Sequence, residues 1–340
     1  MLPGLCNMIR PHLTRRTFDR YLNTVMTPKA FLESLSEAVS EQFSKLTPDD
    51  QFLDRFQDNF RRMTRRFDAP GPEVRMTDTF QIDDVTVKLF VPFGPIPELG
   101  PTLIYAHGGG FVTCDTETHE GIIRRLANAS LCRVLSVEYR LAPEHPFPAA
   151  PDDVKTVVDW ALSGLGKSRG IDPDSIAIGG DSAGGNMAAW IAQIYRDQIK
   201  AQILFYPLMQ LQDVKPSNPG PQDWLQIGTV ALKYIQENYV VGADPKDPKV
   251  SPLFEDNLNN LPPAWVLTCG LDPLRDEGKL YYEKMKGAGN QVEHRYEKTM
   301  PHGFLNFAKA FPKANTVPLE AAEFLRRQFP RLPQSKKAHA

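Results

Sequence analysis

The chain has 340 residues, of which 41% are hydrophobic and 24% are charged, as is typical of a globular protein. At this length most of the surface of the unfolded chain can be buried, so folding requires neither disulfides nor a structural metal. The formal net charge of −2 gives no support for a nucleic-acid partner or an anionic membrane surface, since both favour basic proteins. No apolar run approaches the ~18 residues that a membrane span requires.

The cysteines and the first residues bear on the cellular compartment. Cys6, Cys114, Cys132 and Cys269 are scattered, with no C-x-x-C pair and no metal-ligand spacing. Free thiols in a reducing compartment are the simplest interpretation. Residues 1–10 lack the basic region and sustained apolar stretch of a signal peptide. We therefore expect a cytoplasmic protein without a metal site.

Residues 1–70 have the hydrophobic spacing of helices. The second predicted helix carries one apolar stripe, formed by Phe52, Phe56, Phe60, Met63 and Phe67. Four arginines lie beside or opposite this stripe, and we expect them on a solvated face: Arg61, Arg62, Arg65 and Arg66. Since so strong a stripe must cover something, residues 1–70 are expected to form a lid or cap on a larger body.

Beyond a break at residues 69–72 the hydrophobic period changes to two. This pattern predicts a hairpin over residues 80–91, turning at Asp83-Asp84. Short apolar strands then alternate with helices. The predicted strands are 102–106, 133–138, 175–179, 202–206, 264–269 and 291–296, and the predicted helices are 118–130, 152–163, 183–197, 275–287 and 317–328. Such alternation indicates an α/β fold, with a mostly parallel sheet covered by helices and antiparallel strands at one edge.

One segment interrupts the alternation. Almost sixty residues rich in Pro and Asn separate the strands 202–206 and 264–269. They contain one amphipathic helix, with Leu225 and Leu232 on its apolar face. Long excursions inside a compact domain are typical of functional lids or binding loops. The polar tail, residues 334–340, is expected to be frayed.

The strongest local motif is Gly180-Asp-Ser182-Ala-Gly184, which lies directly between a predicted strand and a predicted helix. This is the setting in which a nucleophilic serine is held on a strained turn at the end of a strand. Glycines are needed at both ends of the motif because side chains would collide across so tight a turn. The alternative is a serine that only caps a helix at an ordinary loop.

A second motif, His107-Gly-Gly-Gly110, follows the strand 102–106. A carbonyl under nucleophilic attack becomes an oxyanion and needs backbone N–H donors. Consecutive glycines let the main chain approach a substrate closely. The expected donors are the amides of Gly108, Gly109 and Ala183. His107 is expected to orient its neighbours rather than act as the catalytic base, and a flexible turn or a phosphate loop is the alternative for this segment.

An acid and a histidine complete a triad in the chain order Ser…Asp…His. Asp272 follows the strand 264–269, and His302 follows the strand 291–296. Parallel strands would bring the loops at their C-terminal ends to one edge of the sheet. Asp276 and Glu277 compete with Asp272, but we expect them to face solvent or to pair locally. The competing histidines are His119, His145 and His294.

These motifs resemble the hormone-sensitive-lipase branch of the α/β-hydrolases, which includes the bacterial family IV carboxylesterases. The resemblance spans residues 102–307 and rests on five motifs in the family's order. They are HGGGF at 107–111, YRLAPEHPFPAA at 139–150, GDSAGGNMA at 180–188, DPLRDEG at 272–278 and HGF at 302–304.

The resemblance implies an α/β-hydrolase fold with a helical cap and with Ser182, Asp272 and His302 as the triad. It implies the same three oxyanion donors and neither a metal nor an organic cofactor. The expected organisation is a catalytic domain of residues 71–207 and 252–333, with a cap made of residues 1–70 and an insertion at 208–251. Members of the family often form homodimers, and no segment of this sequence identifies an interface.

The sequence departs from the family at Cys114, where a glycine is common. A side chain at this position is expected to narrow the acyl pocket, for which Phe111 and Leu225 are further candidates. A reactive thiol of low pKa is the sharper alternative for Cys114.

The sequence therefore predicts a serine carboxylesterase that acts on short- to medium-chain acyl esters of a small, apolar substrate. An acyltransferase or thioesterase of a biosynthetic pathway would use the same chemistry, and sequence does not separate them. A small-molecule receptor on the same fold, as in the plant gibberellin receptors, is the non-catalytic alternative. Those receptors replace the triad histidine, whereas His302 is present here.

Overall fold

The computed structural model describes residues 61–213, 232–330 and 332, which form one sheet with helices on both faces. The strands are β1 (Met76–Ile82), β2 (Val85–Val91), β3 (Gly100–Ala106), β4 (Arg133–Glu138), β5 (Ile171–Asp181), β6 (Ile199–Phe205), β7 (Ala264–Leu271) and β8 (Val292–Pro301). The helices are α1 (Thr116–Ser130), α2 (Ala149–Leu162), α3 (Ala183–Ile194), α4 (Arg275–Gly287) and α5 (Val317–Gln328).

The sheet has eight strands in the order β1-β2-β4-β3-β5-β6-β7-β8. Strands β1 and β2 pair antiparallel, β2 also runs antiparallel to β4, and every other neighbouring pair is parallel. The prediction of a mostly parallel sheet with an antiparallel edge is therefore confirmed. The hairpin turns at Asp83, which adopts a positive φ of 49°.

Two apolar cores lie on opposite faces of the sheet. Helices α2, α3 and α4 cover one face, and α1 and α5 cover the other. All seven residues of β3 are buried, and successive side chains enter opposite cores, with Ile104 in the first and Leu103 and Tyr105 in the second. This burial on both faces explains why the parallel strands are continuous apolar runs in the sequence.

The boundaries of two elements differ from those predicted. Helix α3 ends at Ile194 rather than at residue 197, because the amides of Gln198 and Ile199 both donate to the carbonyl of Tyr195 in a tight turn that leads into β6. Strand β5 begins at Ile171 rather than at residue 175, where it pairs with Gly100 of β3.

The described end of the N-terminal region packs beside α1. Residues 61–67 are helical, and Met63 is buried in the core that α1 lines. Arg61 pairs with Asp115 at 2.7 Å and Arg65 with Glu117 at 2.5 Å. Two of the four arginines expected on a solvated face therefore form ion pairs with acids at the start of α1. Phe52, Phe56 and Phe60 lie outside the described residues.

The described parts of the segment 208–251 are fixed to α3. The side-chain amide of Asn186 donates to the carbonyls of Leu208 and Val250, at 2.8 and 2.9 Å. This fully buried side chain therefore clamps together the two chain segments that leave and re-enter the α/β body. The division of the chain into cap and catalytic parts stays a prediction. Within the described residues, every helix is too short or too polar to cross a membrane.

The clamp makes a prediction about stability. Asn186→Ala removes two buried hydrogen bonds and leaves two carbonyls without their donor, so we expect a loss of about 2–4 kcal/mol of unfolding free energy. Asn128→Ala is the control, because the Asn128 side chain also donates to a carbonyl, that of Glu73, but at an exposed site. Chemical denaturation should show a loss below about 1 kcal/mol for this control. Equal losses in the two variants would contradict the role of the clamp.

Candidate active site

The turn between β5 and α3 presents Ser182 at the C-terminal edge of the sheet. Ser182 adopts φ 52° and ψ −116°, a strained conformation for a residue with a side chain. A Cβ on Gly184 would overlap the carbonyl oxygen of Ala106, and a Cβ on Gly180 would overlap the backbone of Gly184. These backbone contacts on each side of the turn explain why glycine is required at both ends of the motif.

Ser182, His302 and Asp272 form a continuous chain of hydrogen bonds. Nε2 of His302 lies 2.9 Å from Oγ of Ser182, and Nδ1 lies 2.9 Å from Oδ2 of Asp272. The carboxylate is buried, with 1% of its side chain exposed, whereas the imidazole is 31% exposed. The structure therefore brings together the three residues that the sequence predicts as a triad.

The surroundings of the acid and the histidine fix their orientation and charge. The backbone N–H of Leu274 donates to Oδ1 of Asp272 at 2.7 Å, which leaves Oδ2 for His302. The ring of Tyr206 stands edge-on to the imidazole, with centroids 4.9 Å apart. Burial lowers the pKa of His302, but the charge of Asp272 and the hydrogen bond to it outweigh burial and raise the pKa above its usual value of 6.5.

The glycine loop after β3, residues 107–110, lies against this turn; we call it the oxyanion loop. Its first glycine differs from expectation, because the N–H of Gly108 donates to Oδ1 of Asp181 at 2.9 Å and is not available to a substrate. The amides of Gly109 and Gly110 have no acceptor among the described residues, and the same holds for Ala183. The bond to Asp181 therefore disagrees with the prediction of Gly108 as a donor, and the glycine amides left without an acceptor within the described ranges are those of Gly109 and Gly110.

His107 is enclosed by aromatic side chains. It is buried, and its ring stacks on that of Tyr139 with centroids 4.2 Å apart. The Tyr139 hydroxyl donates to the carbonyl of His107 at 2.7 Å. Burial lowers the pKa of His107. These contacts agree with an orienting role rather than with that of a catalytic base.

The structure describes two of the three residues that the sequence predicts to line the acyl pocket. Phe111 is fully buried and stacks on Tyr239, with centroids 3.9 Å apart, so it belongs to the core rather than to an open pocket wall. Leu225 lies outside the described residues. Cys114 is buried against the backbone of Gly109, close to the oxyanion loop. Burial raises the pKa of the Cys114 thiol far above its usual value, which contradicts the alternative of a reactive thiol.

The competing acids do not reach the serine. Asp276 pairs with its neighbour Arg275, as expected. Glu277 differs from expectation, because it is buried and accepts hydrogen bonds from the N–H of Met209 at 2.6 Å and from the side chain of Gln210 at 3.1 Å. Burial raises the pKa of Glu277 to about 8. The sequence does not predict that Glu277 is buried, because its burial depends on the tertiary contact between α4 and the segment after β6.

Of the three competing histidines, two bond to residues other than Ser182 and the third is exposed. His294 lies in β8, bonded to Thr268 at 2.7 Å. His145 is exposed. His119 is buried in the first turn of α1, where Nε2 lies 3.2 Å from Oδ2 of Asp181. Among the described residues no cluster of His, Cys, Asp and Glu side chains could hold a metal ion.

Both the sequence and the structure of the chain match known proteins. The family described as having the alpha/beta hydrolase fold matches residues 103–306, more than half of the chain. The chain belongs to this α/β-hydrolase family. The matched range begins in β3 and ends just after His302, so it includes the oxyanion loop and the three residues predicted to form a triad.

Similar α/β-hydrolases include two proteins of Mycobacterium tuberculosis. The chain is 34% identical over 264 residues to the carboxylic ester hydrolase LipN, covering 70% of this chain and 66% of LipN. It is 38% identical over 254 residues to the esterase LipI, covering 72% of this chain and 79% of LipI. A solved structure, the hyperthermophilic esterase from the archaeon Pyrobaculum calidifontis, has a TM-score of 0.75 at 30% identity and covers 86% of this chain and 97% of that one.

The expected α/β-hydrolase fold and the resemblance to the hormone-sensitive-lipase branch are confirmed by these matches. The predicted enzyme class, carboxylic ester hydrolase, is confirmed with them.

Cys114 provides a test of local strain beside the oxyanion loop. It adopts φ 72°, a left-handed conformation that glycine adopts without cost. Cys114→Gly should therefore be more stable than Cys114→Ala by about 1 kcal/mol, since both variants lose the thiol and only alanine keeps the strained Cβ. Thermal or chemical denaturation of the two variants measures this difference. Alanine as stable as glycine would contradict the strain.

Proposed function

We propose that the protein is a serine carboxylesterase that hydrolyses short- to medium-chain acyl esters through an acyl-enzyme on Ser182. The observation that carries the proposal is the chain from Ser182 through His302 to Asp272, with both bonds at 2.9 Å. In the adjacent oxyanion loop, the amides of Gly109 and Gly110 have no acceptor in the part of the chain that the structure describes. A nucleophile, a base, an orienting acid and oxyanion donors are the parts that acyl transfer requires.

In the first half of the reaction Ser182 becomes acylated. His302 accepts the hydroxyl proton through Nε2 while Oγ attacks the ester carbonyl carbon. Asp272 holds the proton on Nδ1, which keeps the imidazole in the tautomer that can accept at Nε2. The amides of Gly109, Gly110 and Ala183 donate to the oxyanion that forms. The tetrahedral intermediate collapses, His302 returns the proton to the alkoxide, and the alcohol departs.

In the second half water replaces the alcohol. His302 takes a proton from a water molecule, whose oxygen attacks the acyl carbon of the ester on Ser182. The same amides stabilise the second oxyanion, since its position on the acyl group is unchanged. Collapse of the intermediate breaks the bond to Oγ, which takes the proton from His302. The carboxylic acid leaves and the free enzyme is restored.

The space beside the oxyanion loop supports a preference for small acyl groups. Cys114 packs against Gly109 on one side. Ile235, from the helical residues 232–239, packs so closely on Gly110 that a Cβ there would overlap it. Since both side chains adjoin the proposed oxyanion donors, they restrict the room around the ester carbonyl.

The nucleophile is tested with Ser182→Ala on p-nitrophenyl esters from acetate to palmitate. We expect wild-type turnover to peak at a short or medium acyl chain and kcat to fall by about 10⁶-fold in the variant, because no other group can form the acyl-enzyme. Ser175→Ala is the control, as Ser175 lies on the same strand and donates to Asp172. If Ser182→Ala were as active as Ser175→Ala, the proposal would be overturned.

The base is tested by the pH dependence of kcat/KM. His302 must be neutral to accept the proton, and its folded pKa lies above 6.5, so activity should already fall by more than half when the pH drops to 6.5. Asp272→Asn removes the charge that raises this pKa. The acid limb should then move to lower pH and kcat should fall by about 10⁴-fold. A wild-type profile that stays flat down to pH 5 would contradict the assignment of His302.

A further inference from the structure

Asp181, the residue before the serine, carries a buried carboxylate that the proposed reaction does not use. Its side chain is 3% exposed. Oδ1 accepts hydrogen bonds from the Tyr105 hydroxyl and from the N–H of Gly108, both at 2.9 Å. Oδ2 lies 3.2 Å from Nε2 of His119. Donors from three separate elements therefore converge on one carboxylate.

His119 is the ionisable side chain that faces this carboxylate. Its side chain is 2% exposed, and its other ring nitrogen, Nδ1, lies 3.2 Å from the carbonyl oxygen of Asp115. Nδ1 also lies 2.9 Å from the hydroxyl oxygen of Thr118, so each ring nitrogen faces at least one oxygen. Burial lowers the pKa of His119, but the charge of Asp181 outweighs burial and raises it. Burial alone would raise the pKa of Asp181, but the charge of His119 and its hydrogen bond outweigh burial, so the pKa lies below its usual value.

The position of this ion pair gives it a role beyond stability. Asp181 precedes Ser182 in the chain, and Gly108 precedes the proposed donor Gly109. We propose that Asp181 is a positioning residue that holds the oxyanion loop in register with the nucleophile, with His119 as its charge partner. This inference rests on the proposed function, because it concerns the alignment of the donors for that reaction.

The packing at Gly108 agrees with this role. A Cβ at this position would overlap the carboxylate of Asp181, so glycine is required for the carboxylate to reach the amide. An oxyanion donor acts only when it is aimed at the position of the developing charge. Three consecutive glycines have no side chains to fix their orientation, whereas a charge-assisted hydrogen bond to the first amide restrains the two that follow.

The test separates positioning from stability by comparing substrate binding with binding of a transition-state analogue. An aryl trifluoromethyl ketone forms a tetrahedral adduct with the serine, so its Ki reports the oxyanion interaction, whereas KM reports substrate binding. Asp181→Ala should lower kcat and raise Ki by about 10²–10³-fold with KM changed only a few-fold. Asp181→Asn should keep kcat and Ki within about 10-fold of the wild type, because its amide oxygen still accepts from Gly108.

Asp153→Ala is the matched control. Asp153, on α2, is another buried carboxylate, and among the described residues its side-chain hydrogen bonds and ion pair all go to Arg140, at 2.7 Å for the ion pair, rather than to the oxyanion loop. Its loss should lower the melting temperature and leave Ki unchanged. An unchanged Ki in folded Asp181→Ala, or an Asp181→Asn as impaired as Asp181→Ala, would overturn the proposal.

If Asp181→Ala does not fold, Gly108→Ala takes its place, since it separates the same two groups and keeps both charges. Here a raised Ki at nearly constant KM supports the role of Asp181, and an unchanged Ki overturns it. Failure of the proposed function would be recognised separately, as a wild type without ester turnover or as turnover that survives in Ser182→Ala.

Discussion

The site depends on one close contact between two backbones. The first turn of α3 lies so near the end of β3 that a Cβ on Gly184 would overlap the carbonyl of Ala106. Ser182, the proposed nucleophile, follows β5 at this turn, and the oxyanion loop leaves β3 just beyond Ala106, so the contact sets the distance between the serine and the proposed donors. The strained backbone of Ser182 is held by its own amide, which donates to the carbonyl of Phe205, and by its carbonyl, which accepts from Leu208. Any side chain at position 184 would separate the two halves of the site.

The sheet places the other two triad residues by register. Leu271 of β7 is paired with Pro301 of β8, so Asp272 and His302 are the next residues along two adjacent parallel strands. Because β7 and β8 end at paired residues, the side chains of Asp272 and His302 start close enough to form their hydrogen bond. Strand β6 separates β5 from β7 in the sheet, and Tyr206, the residue after β6, fills the space between with its ring against His302.

The fold and the proximity of Ser182, Asp272 and His302 were predictable because both depend on local patterns. Apolar strands that alternate with helices fix the layers, and a triad residue follows each of three strand ends. The hydrogen-bond partners were not predictable. Sequence shows that Gly108 lacks a side chain, but only the structure shows that Asp181 already takes its N–H. The burial of Glu277 was missed for the same reason, because its donors, Met209 and Gln210, are distant in the chain.

A covalent acyl group on Ser182 is tested most directly by rapid-quench mass spectrometry during turnover of p-nitrophenyl acetate. We expect a burst of p-nitrophenolate that does not exceed one equivalent per site, and one acetyl group on the peptide that contains Ser182. The same experiment on His302→Ala should show neither on this timescale, because the serine then lacks its base. An acetyl group on another residue, or steady turnover without any covalent species in the wild type when deacylation is slowed at low pH, would contradict the account.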